Sequence, residues 1–401
     1  MRIALVSEHA NPLATLGSVD AGGQNVHVAE LAAGLVDRGH DVTVFTRRDN
    51  TSAPVRVTAP DGYVVEHVPA GPPSDIPKDE LLQYMPAFAD YLTDRWREDP
   101  VDVVHAHFWM SGIASVEAGR RVGVPVLQTF HALGTVKKRH QGSRDTSPPT
   151  RIGLERRLCR RVDRVIATCS DEVDELAAMG LPRRRATVIP CGVDTDDFRP
   201  LHVPPGDRPR LLVIGRLVER KGVGNVIEAL SQLPGVELMV AGGPAPEFLD
   251  TDPDIARLRR LAARHGVQDR VRFLGSVDRP DVPRVMAEAD IVVAVPWYEP
   301  FGIVPLEAMA CGRPIVGSAV GGLLDTIVPG VTGELVPPRR PDLLAPVLRD
   351  LLADPQRREE YGRAGRARAV TTYQWRQVAA ATEDVYASVT SPIRLRTGVI
   401  R

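Results

Sequence analysis

The sequence has few of the features that mark a secreted, membrane-spanning or nucleic-acid-binding protein. Its 401 residues include four cysteines and no Cys-x-x-Cys pair, so a disulfide framework is not expected and a reducing, cytoplasmic setting is predicted. No apolar run approaches the roughly 20 residues that a membrane-spanning helix needs, although peripheral membrane contact stays open. The formal net charge of −1 favours neither nucleic acid nor an anionic membrane as a partner.

Several ligand-binding motifs are absent as well. The chain has no Gly-x-Gly-x-x-Gly fingerprint and no Walker A motif, which weakens dinucleotide and P-loop interpretations. His105 and His107 share one face of a predicted strand, but no further ligands of suitable spacing follow, so a zinc site is not expected. Asp194 and Asp196 have the spacing of a metal clamp, but they lie in a segment predicted to link two domains. We therefore predict no metal and no cofactor.

What the sequence does contain is a repeated alternation of short apolar strands and amphipathic helices, which is typical of doubly wound parallel sheets. The chain length predicts two domains, and 43% hydrophobic with 25% charged residues describes an ordinary globular protein. The first unit runs from a strand over 3–6 through a glycine-containing loop into a helix over about 24–37. The segment 201–209, with three prolines and one glycine, marks a boundary before the alternation starts again.

The most informative stretch is 297–312, Trp-Tyr-Glu-Pro-Phe-Gly-Ile-Val-Pro-Leu-Glu-Ala-Met-Ala-Cys-Gly. It follows a buried apolar strand over 291–295, passes through a proline-containing loop and continues as a helix that Gly312 closes. In an open α/β sheet, ligands bind beyond the carboxyl ends of the strands. The helix N-terminus suits a phosphate, whereas the carboxylates of Glu299 and Glu307 suit the hydroxyls of a sugar.

Basic residues lie at two further positions where an anion would be favoured. Arg216 and Lys221 share the loop after a predicted strand over 211–214, and two cations there suit a diphosphate. Lys78 lies at the start of a helix predicted over about 79–97, which is an unfavourable end for a cation. It is either a solvated surface lysine or a residue that awaits an anion.

Two other candidates occupy loops that follow strands of the first half. Gly22 and Gly23 allow the backbone to approach a ligand closely, although a plain strand-to-helix turn would also use them. His131 ends a strand predicted over 124–130. It is either a hydrogen-bonded core histidine or part of a site, and we favour the site.

The run around Glu299 and Glu307 resembles the retaining GT-B glycosyltransferases of family 4. The resemblance rests on Pro-Phe-Gly after the first glutamate and on Ala-Met-Ala-Cys-Gly-x-Pro-Ile-Val after the second. The motif Gly-Arg-x4-Lys-Gly at 215–222 is similar to the donor-diphosphate signature of that family. The resemblance spans nearly the whole chain, from the Gly22-Gly23 loop to the C-terminal helices.

The resemblance implies an α/β GT-B architecture, in which two Rossmann-like parallel-sheet domains face each other across a cleft. The implied activity transfers a hexose or N-acetylhexosamine from a nucleotide-sugar to a hydroxyl of a small sugar or polyol, phosphorylated or not. A UDP-sugar is the favoured donor and GDP-mannose is an alternative; the nucleotide-sugar is a substrate and no metal is required. The expected units are an acceptor-binding domain over 1–200, a nucleotide-sugar-binding domain over 201–372, and a helix with a tail over 373–401 that crosses back to the first domain.

The resemblance also assigns roles to the donor side of the cleft. Glu299 would hold hydroxyls of the donor sugar, Glu307 would bind the ribose, and His131 would lie against the sugar. The catalytic residues implied are His131, Glu299, Arg216 and Lys221. The donor-binding residues implied are Gly22, Gly23, Arg216, Lys221, Glu299, Phe301, Gly302, Ile303 and Glu307.

On the acceptor side, the first half is similar to the subgroup that glycosylates inositol phosphate and, more distantly, to sucrose-phosphate synthases. Phe108 stands where that subgroup usually has tyrosine, and Ala132 where it has threonine, so the acceptor stays open. The acceptor-binding residues implied are Gln24, Asn25, Lys78, Phe108, Lys137 and Arg151.

Two other classes of function stay open at this point. A sugar-nucleotide epimerase of GT-B shape would convert the nucleotide-sugar without an acceptor, and a non-catalytic protein would only bind it. The pairing of the two motifs argues against both. The sequence does not identify the base, the sugar or the acceptor, and it leaves a homodimer open.

Overall fold

Two open sheets form the frame of the computed structural model, which describes residues 1–14, 22–204 and 206–390. The strands of the first sheet are, in chain order, β1 (Arg2–Val6), β2 (Asp41–Arg47), β3 (Arg56–Thr58), β4 (Val64–Val68), β5 (Val103–His107), β6 (Val126–Thr129), β7 (Arg164–Ala167) and β8 (Ala186–Val188). Their spatial order is β3-β4-β2-β1-β5-β6-β7-β8, and the pairs are parallel except for β3 with β4.

The second sheet has the strand order of a doubly wound fold. Its strands are β9 (Arg210–Ile214), β10 (Glu237–Ala241), β11 (Val271–Gly275), β12 (Ile291–Ala294), β13 (Ile315–Ser318) and β14 (Gly333–Val336). They lie in the order β11-β10-β9-β12-β13-β14, and all pairs are parallel. Numbered within the sheet this is 3-2-1-4-5-6, so the predicted pair of doubly wound α/β sheets is confirmed.

Helices cover the faces of both sheets, because parallel strands with apolar residues on both sides must be buried on both sides. In the first half they are α1 (Gly23–Asp37), α2 (Met85–Glu98), α3 (Trp109–Val122), α4 (Gly134–Gln141), α5 (Arg151–Arg161) and α6 (Ser170–Ala178). In the second half they are α7 (Val223–Leu230), α8 (Pro253–Arg264), α9 (Val282–Ala287), α10 (Ile303–Ala310), α11 (Gly322–Thr326), α12 (Pro341–Ala353), α13 (Pro355–Thr372) and α14 (Trp375–Thr390). Among the described residues, no helix is long and apolar enough to cross a membrane.

The helix predicted over 79–97 is divided in the structure. A 3₁₀ helix, Lys78–Tyr84, comes first, and the α-helix starts only at Met85. Pro86 occupies its first turn, where a residue without an N–H is tolerated; inside a longer α-helix the same proline would break a hydrogen bond. Lys78 therefore opens the 3₁₀ helix rather than a long α-helix.

The last described helix, α14, packs against the first domain. Trp375 and Tyr386 share an apolar cluster with Leu31 and other residues of α1 and the first sheet. A Cβ added to Gly34 of α1 would lie 2.9 Å from the Cβ of Ala379, so the two helices approach closely. The domain boundaries at 200 and 372 stay predictions, and the tail after residue 390 lies outside the described residues.

Candidate active site

The loops after β9 and β12 leave the centre of the second sheet side by side. These strands are neighbours that belong to opposite winding directions, so a crevice opens between their loops. The β9 loop carries Lys221 and an exposed Arg216. The β12 loop carries Glu299 and Phe301. The structure thus brings together side chains that lie far apart in the sequence.

An ion pair joins the two loops. Lys221 Nζ donates to Glu299 Oε2 at 2.5 Å. Burial acts to raise the pKa of Glu299, but the Lys221 ammonium, a neighbouring arginine and a backbone N–H outweigh it and lower that pKa. The approach depends on Gly222, which has φ +78° and whose added Cβ would lie 2.0 Å from the Val295 carbonyl oxygen. Glu299 is therefore an ionised acceptor beside a cation.

Two helix N-termini meet across the cleft. Gly22 caps α1 and Gly302, with φ +68°, caps α10. A Cβ added to Gly23 would lie 3.1 Å from a methyl of Ile303 and 3.9 Å from the Phe301 ring. Gly23, predicted to face a donor phosphate in the first domain, therefore lies close to the predicted phosphate-binding residues of the second, whereas Gly22 has no such neighbour. Both N-termini carry partial positive charge.

Glu307 lies inside α10, one turn beyond this N-terminus, and it is 5% exposed. Arg279 donates to its Oε1 at 2.9 Å and lies 4.9 Å from the ring centroid of Phe198. Burial raises the pKa of Glu307, and Arg279 opposes that shift. The sequence analysis did not identify Arg279, because its partner Glu307 lies 28 residues away and no local pattern links the two.

Four buried histidines lie behind the cleft. His107 Nδ1 is 2.9 Å from His131 Nε2, and the ring centroids of His105 and His107 are 4.2 Å apart. The ring of His27, from α1, lies 5.2 Å from that of His131. His131 also packs 5.1 Å from the ring of Phe301, the residue that precedes the α10 cap. His131 is thus placed at the donor loop, and His27 is a neighbour that the sequence analysis missed.

The histidine cluster is uncharged at neutral pH. Burial lowers the pKa of His27 to about 4 and that of His105 to about 3. Burial, reinforced by neighbouring imidazoles, lowers the pKa values of His107 and His131 well below the ordinary value. His131 can therefore act as a neutral hydrogen-bonding group.

The residues predicted to bind the acceptor form a second group next to the first. Arg151 donates to the carbonyl of Ala132, at 2.5 Å, and its guanidinium lies 5.1 Å from the ring centroid of Phe108. Ser147 Oγ accepts from Lys137 at 2.9 Å and from Arg151 at 3.1 Å. Because Ala132 follows His131 directly, the acceptor group adjoins the donor group.

Carboxylates accompany these cations. Arg151 pairs with buried Glu155 at 2.8 Å, and Lys137 pairs with Asp145 at 3.1 Å and lies 3.9 Å from Asp79. Burial acts to raise the pKa of Asp145, but Ser147 and Lys137 outweigh it and lower that pKa. Lys78 immediately precedes Asp79 in the chain, and its role toward the acceptor stays a prediction.

Gln24 and Asn25 stabilise the loop that leads into α1. Asn25 Oδ1 accepts from the Gly22 N–H at 3.0 Å, and its Nδ2 donates to the Asn11 carbonyl at 2.9 Å. Gln24 donates to Ser7 Oγ at 3.2 Å. Asn25 is thus committed to shaping this loop, and a role of either residue toward the acceptor stays a prediction.

The two domains also touch beside Glu299. Gln141 donates to the Tyr298 hydroxyl at 2.6 Å, and Thr168 donates to the Pro300 carbonyl at 3.1 Å. A cavity of about 220 Å³ lies between the domains and includes Glu299 in its wall. Larger cavities of about 560 and 630 Å³ occupy other faces. Neither is lined by residues predicted to bind the donor or the acceptor.

The aspartates with metal-clamp spacing have a different role. Asp194 Oδ1 accepts from the N–H groups of Asp196, at 2.8 Å, and Asp197, at 3.0 Å, so this carboxylate closes a turn in the crossover. In the part of the chain that the structure describes, no three His, Cys, Asp or Glu side chains are grouped to hold a metal ion.

Comparison with known proteins gives matches over both domains. Residues 21–197 match the family described as Glycosyltransferase Family 4, and residues 194–368 match Glycosyl transferases group 1. D-inositol 3-phosphate glycosyltransferase 2 of Catenulispora acidiphila is 35% identical, over 98% of this chain and 96% of the relative. The D-inositol 3-phosphate glycosyltransferase of Mycolicibacterium smegmatis is 38% identical, over 84% and 80%.

Solved structures are similar over almost the whole chain. Sucrose-phosphate synthase of Thermosynechococcus elongatus has a TM-score of 0.87 and 31% identity, over 97% of this chain and 99% of that one. HepE of Anabaena, solved in complex with UDP, has a TM-score of 0.76 and 21% identity, over 97% and 100%. At that identity HepE shows a shared fold alone.

Proposed function

The chain belongs to glycosyltransferase family 4, and we propose that it transfers a sugar from a nucleotide-sugar to a hydroxyl of a small acceptor with retention at the anomeric carbon. The predicted GT-B fold and glycosyltransferase class are confirmed. A UDP-sugar is favoured as donor, with GDP-mannose as the alternative. The acceptor is a small sugar or polyol that carries a phosphate, in line with the names of the relatives and with the cations around Ser147.

The observation that carries this proposal is the contact between Lys221 and Glu299 at the switch point of the second sheet, directly beside the N-terminus of α10. Cations and helix amides favour a diphosphate, while an ionised carboxylate favours hydroxyl donors. A nucleotide-sugar presents both, because its sugar is bonded directly to its diphosphate.

Departure of the nucleoside diphosphate leaves negative charge on its terminal phosphate. Arg216, Lys221 and the N–H groups over 301–303 stabilise that charge, and they do so most effectively in a cleft from which water is excluded. The proposed reaction is metal-independent because these groups supply the positive charge. Lys221 and Glu299 pair in the structure; a bound donor would offer its phosphate to the ammonium and its sugar hydroxyls to the carboxylate.

The remaining groups orient the donor. Glu299 binds hydroxyls of the sugar, Glu307 binds the ribose hydroxyls, and His131 contacts the sugar from the first domain. Two cysteines near the cleft are unsuited to form a glycosyl-enzyme, because burial raises the pKa of Cys169 to about 12 and raises that of Cys191 further above its ordinary value. Retention then follows from attack on the same face that the leaving group departs from.

The Lys78→Ala substitution is expected to weaken binding of the acceptor more than binding of the donor. Lys78 adjoins Asp79, which lies 3.9 Å from Lys137, and a lost phosphate contact costs about 1–3 kcal/mol, or roughly tenfold to a hundredfold in acceptor KM. Steady-state kinetics with each substrate varied in turn provides the measurement, and Lys138→Ala, an exposed lysine of α4, is the matched control. An acceptor KM unchanged by Lys78→Ala removes Lys78 from the acceptor site.

Incubation with UDP-glucose, UDP-N-acetylglucosamine and GDP-mannose, each without metal, tests the proposed function. Inositol phosphate, fructose 6-phosphate and the corresponding unphosphorylated compounds serve as acceptors. Release of nucleoside diphosphate that depends on an acceptor, with the anomeric configuration of the donor kept in the product, is expected. Interconversion of donors without an acceptor would indicate an epimerase, and binding without turnover of any pair would indicate a non-catalytic protein; either result contradicts the proposal.

A further inference from the structure

His107 lies directly behind His131, and the two rings form a close pair. His107 Nδ1 is 2.9 Å from His131 Nε2, and the rings stack with their centroids 5.1 Å apart. His107 has no exposed surface and His131 is 2% exposed. Because both imidazoles are neutral, one nitrogen of this contact carries the proton and the other accepts it.

A chain of hydrogen bonds fixes His105, which packs against His107 on the side away from His131. The Thr129 hydroxyl donates to the Ile166 carbonyl at 2.9 Å, so its oxygen accepts from His105 Nε2 at 2.8 Å. His105 Nε2 therefore carries the proton, and His105 Nδ1 accepts from the Tyr386 hydroxyl at 2.8 Å. His105 is thus held between the sheet and α14, and its ring packs against that of His107 in a tilted contact, with the centroids 4.2 Å apart.

Two proton arrangements are compatible with the contact between His107 and His131. Within the described residues, His107 Nε2 and His131 Nδ1 have no hydrogen-bond partner, so each arrangement leaves one buried N–H unpaired. If His131 Nε2 donates, the unpaired N–H is on His107, which is enclosed by other histidines. If His107 Nδ1 donates, the unpaired N–H is on His131, whose ring borders Phe301 of the donor loop. Only the second arrangement leaves an N–H that a ligand oxygen can reach once the donor loop moves.

We propose that His107 is a positioning residue whose Nδ1–H donates to His131 Nε2, fixing the ring and tautomer of His131 so that Nδ1–H is presented to an oxygen of the donor sugar. The inference rests on the proposed function for the identity of the ligand, but not for the tautomer. His131 has φ +61°, a conformation that costs a non-glycine residue free energy. The contact with His107 helps to retain this strained placement, since it restrains the ring as well as the backbone position.

Two amide variants separate the nitrogens of His107. In His107→Asn the side-chain amide takes the place of Nδ1 and can still donate to His131; in His107→Gln it takes the place of Nε2 and cannot. His107→Asn is expected to keep kcat within about threefold of wild type, whereas His107→Gln and His107→Leu lower kcat by roughly tenfold to a hundredfold, as misplacement of a reacting group does. UDP affinity should be unchanged in all three, because the histidines face the sugar. Equal loss in the Asn and Gln variants, or no loss in either, overturns the proposal.

The tautomer itself is read by NMR of the full chain labelled with ¹⁵N-histidine, without substrate. His107→Gln and His131→Gln assign the two signals. We expect protonated Nδ1 and unprotonated Nε2 on His131, and a change of the His131 signals in His107→Leu. Protonation of His131 on Nε2 contradicts the inference, and so do His131 signals that are unchanged in His107→Leu. If no donor is turned over by the wild type, the proposed function fails while the NMR result still decides the role of His107.

Discussion

Replacing Lys221 with alanine is expected to lower kcat/KM for the nucleotide-sugar by roughly a hundredfold to a thousandfold, the usual effect of removing one group that stabilises charge in the transition state. Lys221 is the cation that reaches across to Glu299, and no other described lysine lies in the β9 loop. Glu299→Ala is expected to have an effect of the same order, because the sugar hydroxyls lose their acceptor. Kinetics with the donor varied at saturating acceptor provides the measurement.

The matched control is Lys138→Ala, which removes an exposed lysine of α4. Thermal unfolding of each variant separates loss of chemistry from loss of fold. Each single substitution leaves one partly buried charge unpaired, whereas the double variant Lys221→Ala with Glu299→Ala removes both charges. The loss of stability in the double variant should therefore be smaller than the sum of the losses in the two single variants. Turnover like that of wild type in either folded single variant would contradict the assigned site.

Gly222→Ala is expected to disturb the site through the backbone of the β9 loop. The residue has φ +78°, which alone costs an alanine about 1–2 kcal/mol. Its Cβ would also lie 2.0 Å from the Val295 carbonyl oxygen, so the β9 loop must move away from the β12 exit. We expect that movement to separate Lys221 from Glu299 and to lower kcat/KM by at least about tenfold, since an error near 1 Å in placement can cost a hundredfold.

Gly235→Ala is the control for the backbone strain. Gly235 has φ +75°, but a Cβ there meets nothing within 4 Å. The two variants therefore share the conformational cost, and only Gly222→Ala adds the clash at the crevice. Urea unfolding and donor kinetics of both are compared. Equal activity in the two variants would show that the contact between the β9 loop and the β12 exit does not position the donor groups.

The sequence predicts the donor side of the site well because its residues lie in loops that follow apolar strands. Arg216, Lys221 and Glu299 are polar side chains at the ends of apolar runs, and the doubly wound order brings the carboxyl ends of such strands to one edge. The same reasoning places His131 at the cleft. The sequence predicts that Gly222 lies in a turn, but only the structure shows how closely it approaches Val295.

The remaining contacts depend on tertiary packing that leaves no local signal. His27 is one residue within α1, and only the packing inside the first domain shows that it faces His131. Arg279 reaches Glu307 from another loop. The short edge strand β3 pairs antiparallel to β4 and has little of the apolar pattern of the central strands. Pro86 divides the predicted helix near Lys78, and the exact point depends on how the first turn packs.

Calorimetric titration with UDP and with GDP tests the central claim most directly, because the claim concerns where a nucleoside diphosphate binds. At least one of the two should bind the wild type at a single site without added metal, with affinity reduced at least tenfold in Lys221→Ala and unchanged in Lys138→Ala. Failure of both nucleotides to bind the wild type, or equal affinity of wild type and Lys221→Ala, would contradict the account.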